Sequence, residues 1–160
     1  MRGSVASASL LGRVCIAVSL VLAVGCVVVS PATEARLRAN AAEVEEDLRR
    51  GRVAEAIPKA RVVLAMLEQA LGPTHPQVAQ WLNNLAELLR VTGDYRGARP
   101  LYERAIRIYE GAYGPDHPEV ALPLGGLGTV LAATGDYAAA KPLLERSLQI
   151  LERAHGPNHP

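Results

Sequence analysis

Four histidines are the residues of this chain best suited to hold a metal or move a proton: His75, His117, His155 and His159. His75, His117 and His159 recur 42 residues apart, each just before a proline. That spacing spreads them along the chain, whereas a shared ion needs every ligand about 2 Å away. His155 and His159 are one helical turn apart, but Gly156-Pro157 interrupts any helix that would align them. The histidines are therefore expected to serve as loop and capping residues, and no metal site is predicted. No Ser/His/Asp set, glycine-rich phosphate loop or isolated carboxylate pair stands out, so neither a cofactor nor an enzymatic activity is predicted. Glu103 and Glu145, beside Arg104 and Arg146, read as solvated helix charges.

The composition narrows the classes of function further. A chain of 160 residues, 49% hydrophobic and 4% aromatic, has room for one modest domain or a short array of repeats. Its 17 Lys and Arg offset 16 Asp and Glu, and with Arg2 and Arg13 set aside residues 33–160 carry a net charge of −1. A near-neutral body lacks the clustered cations that displace counterions from phosphates, so nucleic acid is not an expected partner.

Residues 14–33 are uncharged, and 14–29 are almost wholly Val, Ala, Leu, Ile, Cys and Gly. With Arg2 and Arg13 before them and Ser30, Pro31 and Ala32 after, residues 1–32 read as a secretory signal cut after Ala32. The second reading is a retained anchor spanning about 14–30, with the arginines in the cytoplasm. Lipidation at Cys26 is a third reading. A mis-assigned start is the remaining alternative. The signal and anchor readings both put the body outside the cytoplasm and confine membrane contact to this segment. Cys15 and Cys26 both lie within it, so the body has no thiol for a disulfide or thiolate metal site.

The elements that position the remaining polar residues follow from an internal repeat. Residues 77–118 and 119–160 align without a gap and agree at 21 of 42 positions, including Thr92-Gly93-Asp94-Tyr95 against Thr134-Gly135-Asp136-Tyr137. A diverged copy at 35–76 closes with Gly72-Pro73-Thr74-His75-Pro76, matching Gly114-Pro115-Asp116-His117-Pro118. Leu82, Leu85, Ala86 and Leu89 fall at i, i+3, i+4 and i+7, one stripe of an amphipathic helix. Gly93 stops that helix, and Asp94 is suited to cap the next, which is expected to bury Ala98, Leu101, Tyr102, Ala105, Ile108 and Tyr109. Pro118 suits the first position of the following helix. In the first copy Asn40, Glu43 and Asp47 replace the leucines, so its stripe is expected to shift to Leu37, Ala41, Val44 and Leu48. Pro58, Pro100 and Pro142 fall well inside the second helices and predict a local kink. Glu45–Arg49, Glu46–Arg50 and Glu103–Arg107 are spaced for surface ion pairs.

Leu82-Asn83-Asn84-Leu85-Ala86, Gly93-Asp94-Tyr95, Pro100-Leu101-Tyr102-Glu103-Arg104-Ala105 and Gly114-Pro115-Asp116-His117-Pro118 resemble the 42-residue tetratricopeptide (TPR) repeat of the kinesin light chain type. The resemblance covers about 35–160. It implies an all-α solenoid of three antiparallel helix pairs over 33–160, in repeats 35–76, 77–118 and 119–160, whose first helices line a concave face that holds a peptide or a partner's helix. Carried onto this chain, that face comprises Gln80, Asn83, Asn84, Glu87, Arg90 and Val91, then Leu122, Gly125, Gly126, Thr129, Ala132 and Ala133. The two asparagine amides suit sequence-tolerant pairing with a ligand backbone. Gly125 and Gly126 either admit a ligand backbone closely or are a degenerate stretch, since each costs a helix about 1 kcal/mol relative to Ala. A carboxylate clamp of the chaperone-binding kind is excluded, because Leu122 and Gly126 stand where it needs cations. Trp81 reads as a packing or groove-edge aromatic.

The expected function is that of a non-catalytic scaffold with a protein or peptide ligand. One rival is self-association through an uncapped last repeat that exposes Leu144, Leu148 and Leu151. Another is that the chain is a fragment or regulatory part of a longer TPR protein. The kinesin-type repeat does not make it a motor subunit, since no long heptad segment is present.

Overall fold

The computed structural model describes residues 29–156, and among them every regular element is an α-helix. The apolar segment, including Cys26, lies outside the described residues except for its last positions. Among the described residues no helix is long and apolar enough to cross a membrane. The helices are α1 (Pro31–Arg49), α2 (Val53–Leu71), α3 (Pro76–Val91), α4 (Tyr95–Tyr113), α5 (Pro118–Ala133) and α6 (Tyr137–His155). They group into two compact units that divide after Pro73.

Helix ends follow from turn chemistry. At the end of α3, Gly93 takes φ +83, a left-handed conformation that costs any residue with a Cβ. The turn lets Gly93 N–H donate to the Arg90 carbonyl at 3.1 Å and Asp94 N–H to that of Leu89 at 2.8 Å, satisfying acceptors the helix leaves open. Asp94 Oδ1 then accepts from Gly97 N–H at 2.9 Å and starts α4. His75 and His117 are caps too: each Nδ1 accepts a backbone N–H, from Gln77 at 3.2 Å and from Glu119 at 3.3 Å, with Pro76 and Pro118 opening the helix. Ser30 caps α1 in the same way through Thr33 N–H, so a cut after Ala32 would fall inside the first turn of α1. The second helices run unbroken through Pro58, Pro100 and Pro142, each at the sixth helical position.

In the first unit α1 packs on α2. Its stripe is the shifted one, with Leu37, Ala41, Val44 and Leu48 buried against Ala56, Ala60, Val63, Leu64 and Leu67. Asp47 is buried as well, at 1% exposed, and its charge is answered from both sides. Arg52 Nη2 lies 2.5 Å from Oδ1 and Lys59 Nζ 2.7 Å from Oδ2. The Lys59 ammonium, then the Arg52 guanidinium, outweigh desolvation and hold the Asp47 carboxyl below its ordinary range; the same ion pair raises the Lys59 ammonium above its own.

In the second unit α4 lies against both α3 and α5, α5 packs on α6, and α3 touches α5. Leu82, Leu85, Leu88 and Leu89 of α3 meet Ala98, Tyr102, Ala105, Ile106, Ile108 and Tyr109 of α4 in the core, while Leu101 is only half-buried. Each fully buried leucine contributes about 1.5–3 kcal/mol. Arg146 reaches back from α6, its Nη2 2.7 Å from both Glu110 Oε1 and the Pro115 carbonyl.

Candidate functional site

The repeat places Gln80, Asn83, Glu87 and Arg90 at i, i+3, i+7 and i+10 of α3, and all four are partly open to solvent. Asn84 turns inward and is 8% exposed. On α5 the matching positions are Leu122 and Thr129, both exposed, and Gly125 and Gly126, both half-buried. The two rows lie on α3 and α5, which touch in the second unit.

Glu87 is the hub of the α3 row. Arg90 grips it with two parallel bonds, Nε to Oε2 at 2.9 Å and Nη2 to Oε1 at 2.5 Å, a fork geometry suited to a carboxylate. Tyr102, buried in α4, donates its hydroxyl to Glu87 Oε2 at 2.8 Å. Burial, then the adjacent Glu87 charge, push the Tyr102 hydroxyl above its ordinary value and keep it a donor; the bond to Glu87 keeps Arg90 a cation. The row is thus held rigid from below, and its Glu87 and Arg90 charges offset each other.

The glycines of α5 are accounted for by packing. A Cβ at Gly126 would lie 2.5 Å from Cζ and 2.9 Å from Oη of Tyr102. One at Gly125 would meet Ser147 Oγ at 3.3 Å, and that hydroxyl already donates to the Ala121 carbonyl at 2.7 Å. One at Gly128 would strike Leu144 Cγ at 2.7 Å. The space these residues leave is taken by α4 and α6, so the run is a seat for larger side chains. Thr129 directs its hydroxyl to the Gly125 carbonyl at 2.8 Å.

Sequence reasoning missed a second feature beside Gln80. The C-terminal end of α4 and the starts of α3 and α5 enclose a depression of about 360 Å³, with Gln77, Tyr109, Tyr113, His117 and Glu119 around it. The tyrosines were visible as a departure, since positions 109 and 113 are Leu67 and Leu71 in the first copy. Their convergence with Gln77 and Glu119 is a property of three elements at once. Among the described residues no group of three or more His, Cys, Asp or Glu is placed to hold a metal ion.

The tetratricopeptide repeat model matches residues 34–111 and again 78–153. The chain belongs to the tetratricopeptide repeat family. TPR domains are in general scaffolds for protein–protein interaction and non-catalytic. Among solved structures, this TPR protein is similar to BtubC (BKLC) from P. vanneervenii at 20% identity and TM-score 0.71, over 80% of this chain and 50% of that one. It is also similar to a kinesin light chain protein with nearly identical TPR-like repeats from P. anserina, seen in two crystal structures, each at 25% identity and TM-score 0.69, over 78% of this chain and 59% of that one. The chain therefore spans between half and three-fifths of these structures' length. Comparison with curated proteins returned no match.

Proposed function

We propose that this TPR protein is a non-catalytic scaffold that holds an extended peptide or a partner's helix along a face that α3 and α5 form together. The observation that carries this reading is the row Gln80, Asn83, Glu87 and Arg90, which stays partly open while the opposite side of α3 is buried. Asn83 brings two donors and an acceptor to a ligand backbone, and Arg90, fixed by Glu87, offers its remaining guanidinium N–H donors in a set direction. Asn84 is too deeply placed to contribute as fully as Asn83.

The test is capture of partners with the full chain, followed by Asn83→Ala. Loss of the amide should weaken binding by about 0.5–1.5 kcal/mol with circular dichroism unchanged. Unaltered affinity would remove the partner from this face. We further propose that residues 14–30 carry the body out of the cytoplasm, a reading supported by their uncharged apolar run behind Arg2 and Arg13. Fractionation with intact-mass analysis checks it, and a full-length chain found free in the cytoplasm would contradict it.

Self-association is the second reading, favoured by Leu144 and Leu148 of α6, which are 40% and 57% exposed. Sedimentation of the chain across a concentration series decides it, with a strictly monomeric profile as the contrary result.

A further inference from the structure

We propose that the depression among α3, α4 and α5 is a recognition pocket for a basic side chain, above all arginine, presented by a peptide partner. This deepens the reading above and rests on it for the peptide, since Gln80 belongs to both the pocket and the α3 row.

Three features of the lining ask for a cation. The first is an aromatic wall. Tyr109 and Tyr113 stack with ring centroids 6.2 Å apart, and Tyr113 and His117 follow at 4.5 Å. Tyr113 is 47% exposed, so part of its ring is within reach of a ligand cation. The second is Glu119, an exposed carboxylate close enough to Tyr109 to help keep that hydroxyl protonated, after burial itself. No lysine or arginine lines the pocket. The third is Gln77, whose Oε1 is buried without a hydrogen-bond partner and so lacks a donor.

The rings exceed what the fold needs. Position 109 is filled by Leu67 and Leu151 in the other copies, so a leucine suffices for packing there. An anionic ligand is the obvious rival, because two helices begin here and their N-termini favour negative charge. That demand is already met: His75 and His117 take the Gln77 and Glu119 N–H groups, and Glu119 itself sits in the first turn of α5. An anion would face the Glu119 carboxylate, ring surfaces and an unsatisfied acceptor. Arginine is preferred to lysine because a planar guanidinium stacks on a tyrosine ring and carries five donors, enough to serve Gln77 and Glu119 together. A space of about 360 Å³ suits the end of one side chain and not a folded segment.

The test titrates the full chain with the capped peptide Gly-Gly-Arg-Gly-Gly, following the Tyr109 and Tyr113 ring protons by NMR. Saturable shifts are expected, with the lysine peptide weaker and the neutral citrulline peptide at least about tenfold weaker. Glu119→Gln should weaken the arginine peptide about two- to fivefold, and Tyr113→Leu should weaken it while leaving helicity intact. Equal binding of the citrulline peptide, tighter binding of a glutamate peptide, or indifference to both substitutions would overturn the assignment. Guanidinium ion alone matching the peptide would overturn its peptide source. Asn83→Ala leaves this titration unchanged. An Asn83-sensitive partner with no arginine response therefore removes the pocket and keeps the α3 face, and the converse pattern does the opposite.

Discussion

The Tyr102 ring occupies the volume that a side chain at Gly126 would need: a Cβ there would fall 2.5 Å from Tyr102 Cζ. The ring cannot yield easily, because its hydroxyl is tied to Glu87, which Arg90 holds in turn. A helix-favouring substitution should consequently be destabilising at this position. Gly126→Ala would gain up to about 1 kcal/mol of helix propensity and lose about 1–3 kcal/mol to overpacking, for a net loss. In a Tyr102→Leu background, which copies Leu144 of the next repeat, the obstruction disappears and Gly126→Ala should become neutral or stabilising. Urea denaturation of the two singles and the double checks this, and additive effects would mean that the residues do not compete for space.

Asp47 gives the first unit a pH dependence that its neighbours in the alignment, Leu89 and Leu131, cannot have. Its carboxyl is depressed in the folded chain, chiefly by the ion pair with Lys59, so the unfolded chain binds the proton more readily in acid. The resulting stability is complete above the ordinary carboxylate value of about 4 and is lost as pH falls through that value toward the folded one. Lys59 has the opposite sign: its raised value contributes stability below about pH 10.4, lost as pH rises through the folded value. The opening free energy of α1 and α2, taken from amide exchange after division by the intrinsic rate at each pH, should therefore fall toward acid, and in Asp47→Asn that fall between roughly pH 5 and 3 should flatten. An unchanged acid limb in the variant would assign the effect to other carboxylates.

Most of what builds the helices is local and could be read directly. Gly93, Asp94 and Pro118 act within a few residues of themselves, and the shifted stripe of α1 follows from spacing alone. Side-chain partners were less legible. Glu46 does pair with Arg50, but Glu103 turns to Arg99 at 2.8 Å, where spacing alone had suggested Arg107. The charges of the first copy form a substitution in three places: Asp47, Arg52 and Lys59 stand where the second has Leu89, Asp94 and Leu101. Each looks like decay singly, and only their contact across the α1–α2 turn makes them a unit. The glycines of α5 were opaque for the same reason, since their purpose lies in Tyr102, Leu144 and Ser147 of other helices. A face that binds is harder still, because exposure at Asn83 or Tyr113 depends on what every neighbour covers.

Two glycines of the second unit should respond in opposite directions to the same substitution. Gly93 ends α3 at φ +83, where a Cβ meets no atom within 4 Å yet the backbone itself is unfavourable for an L residue. Gly93→Ala should cost about 1–2 kcal/mol through that conformation alone. Gly111 lies inside α4, exposed, in helical conformation and likewise without a neighbour within 4 Å of an added Cβ. There alanine removes unfolded-state freedom and adds nothing to clash, so Gly111→Ala should stabilise by about 0.4–1 kcal/mol. Thermal melts of both variants beside the parent give the comparison. Should Gly93→Ala melt with the parent, the left-handed turn is not what closes α3, and the link from that glycine through the Asp94 cap to the placement of α4 would have to be drawn elsewhere.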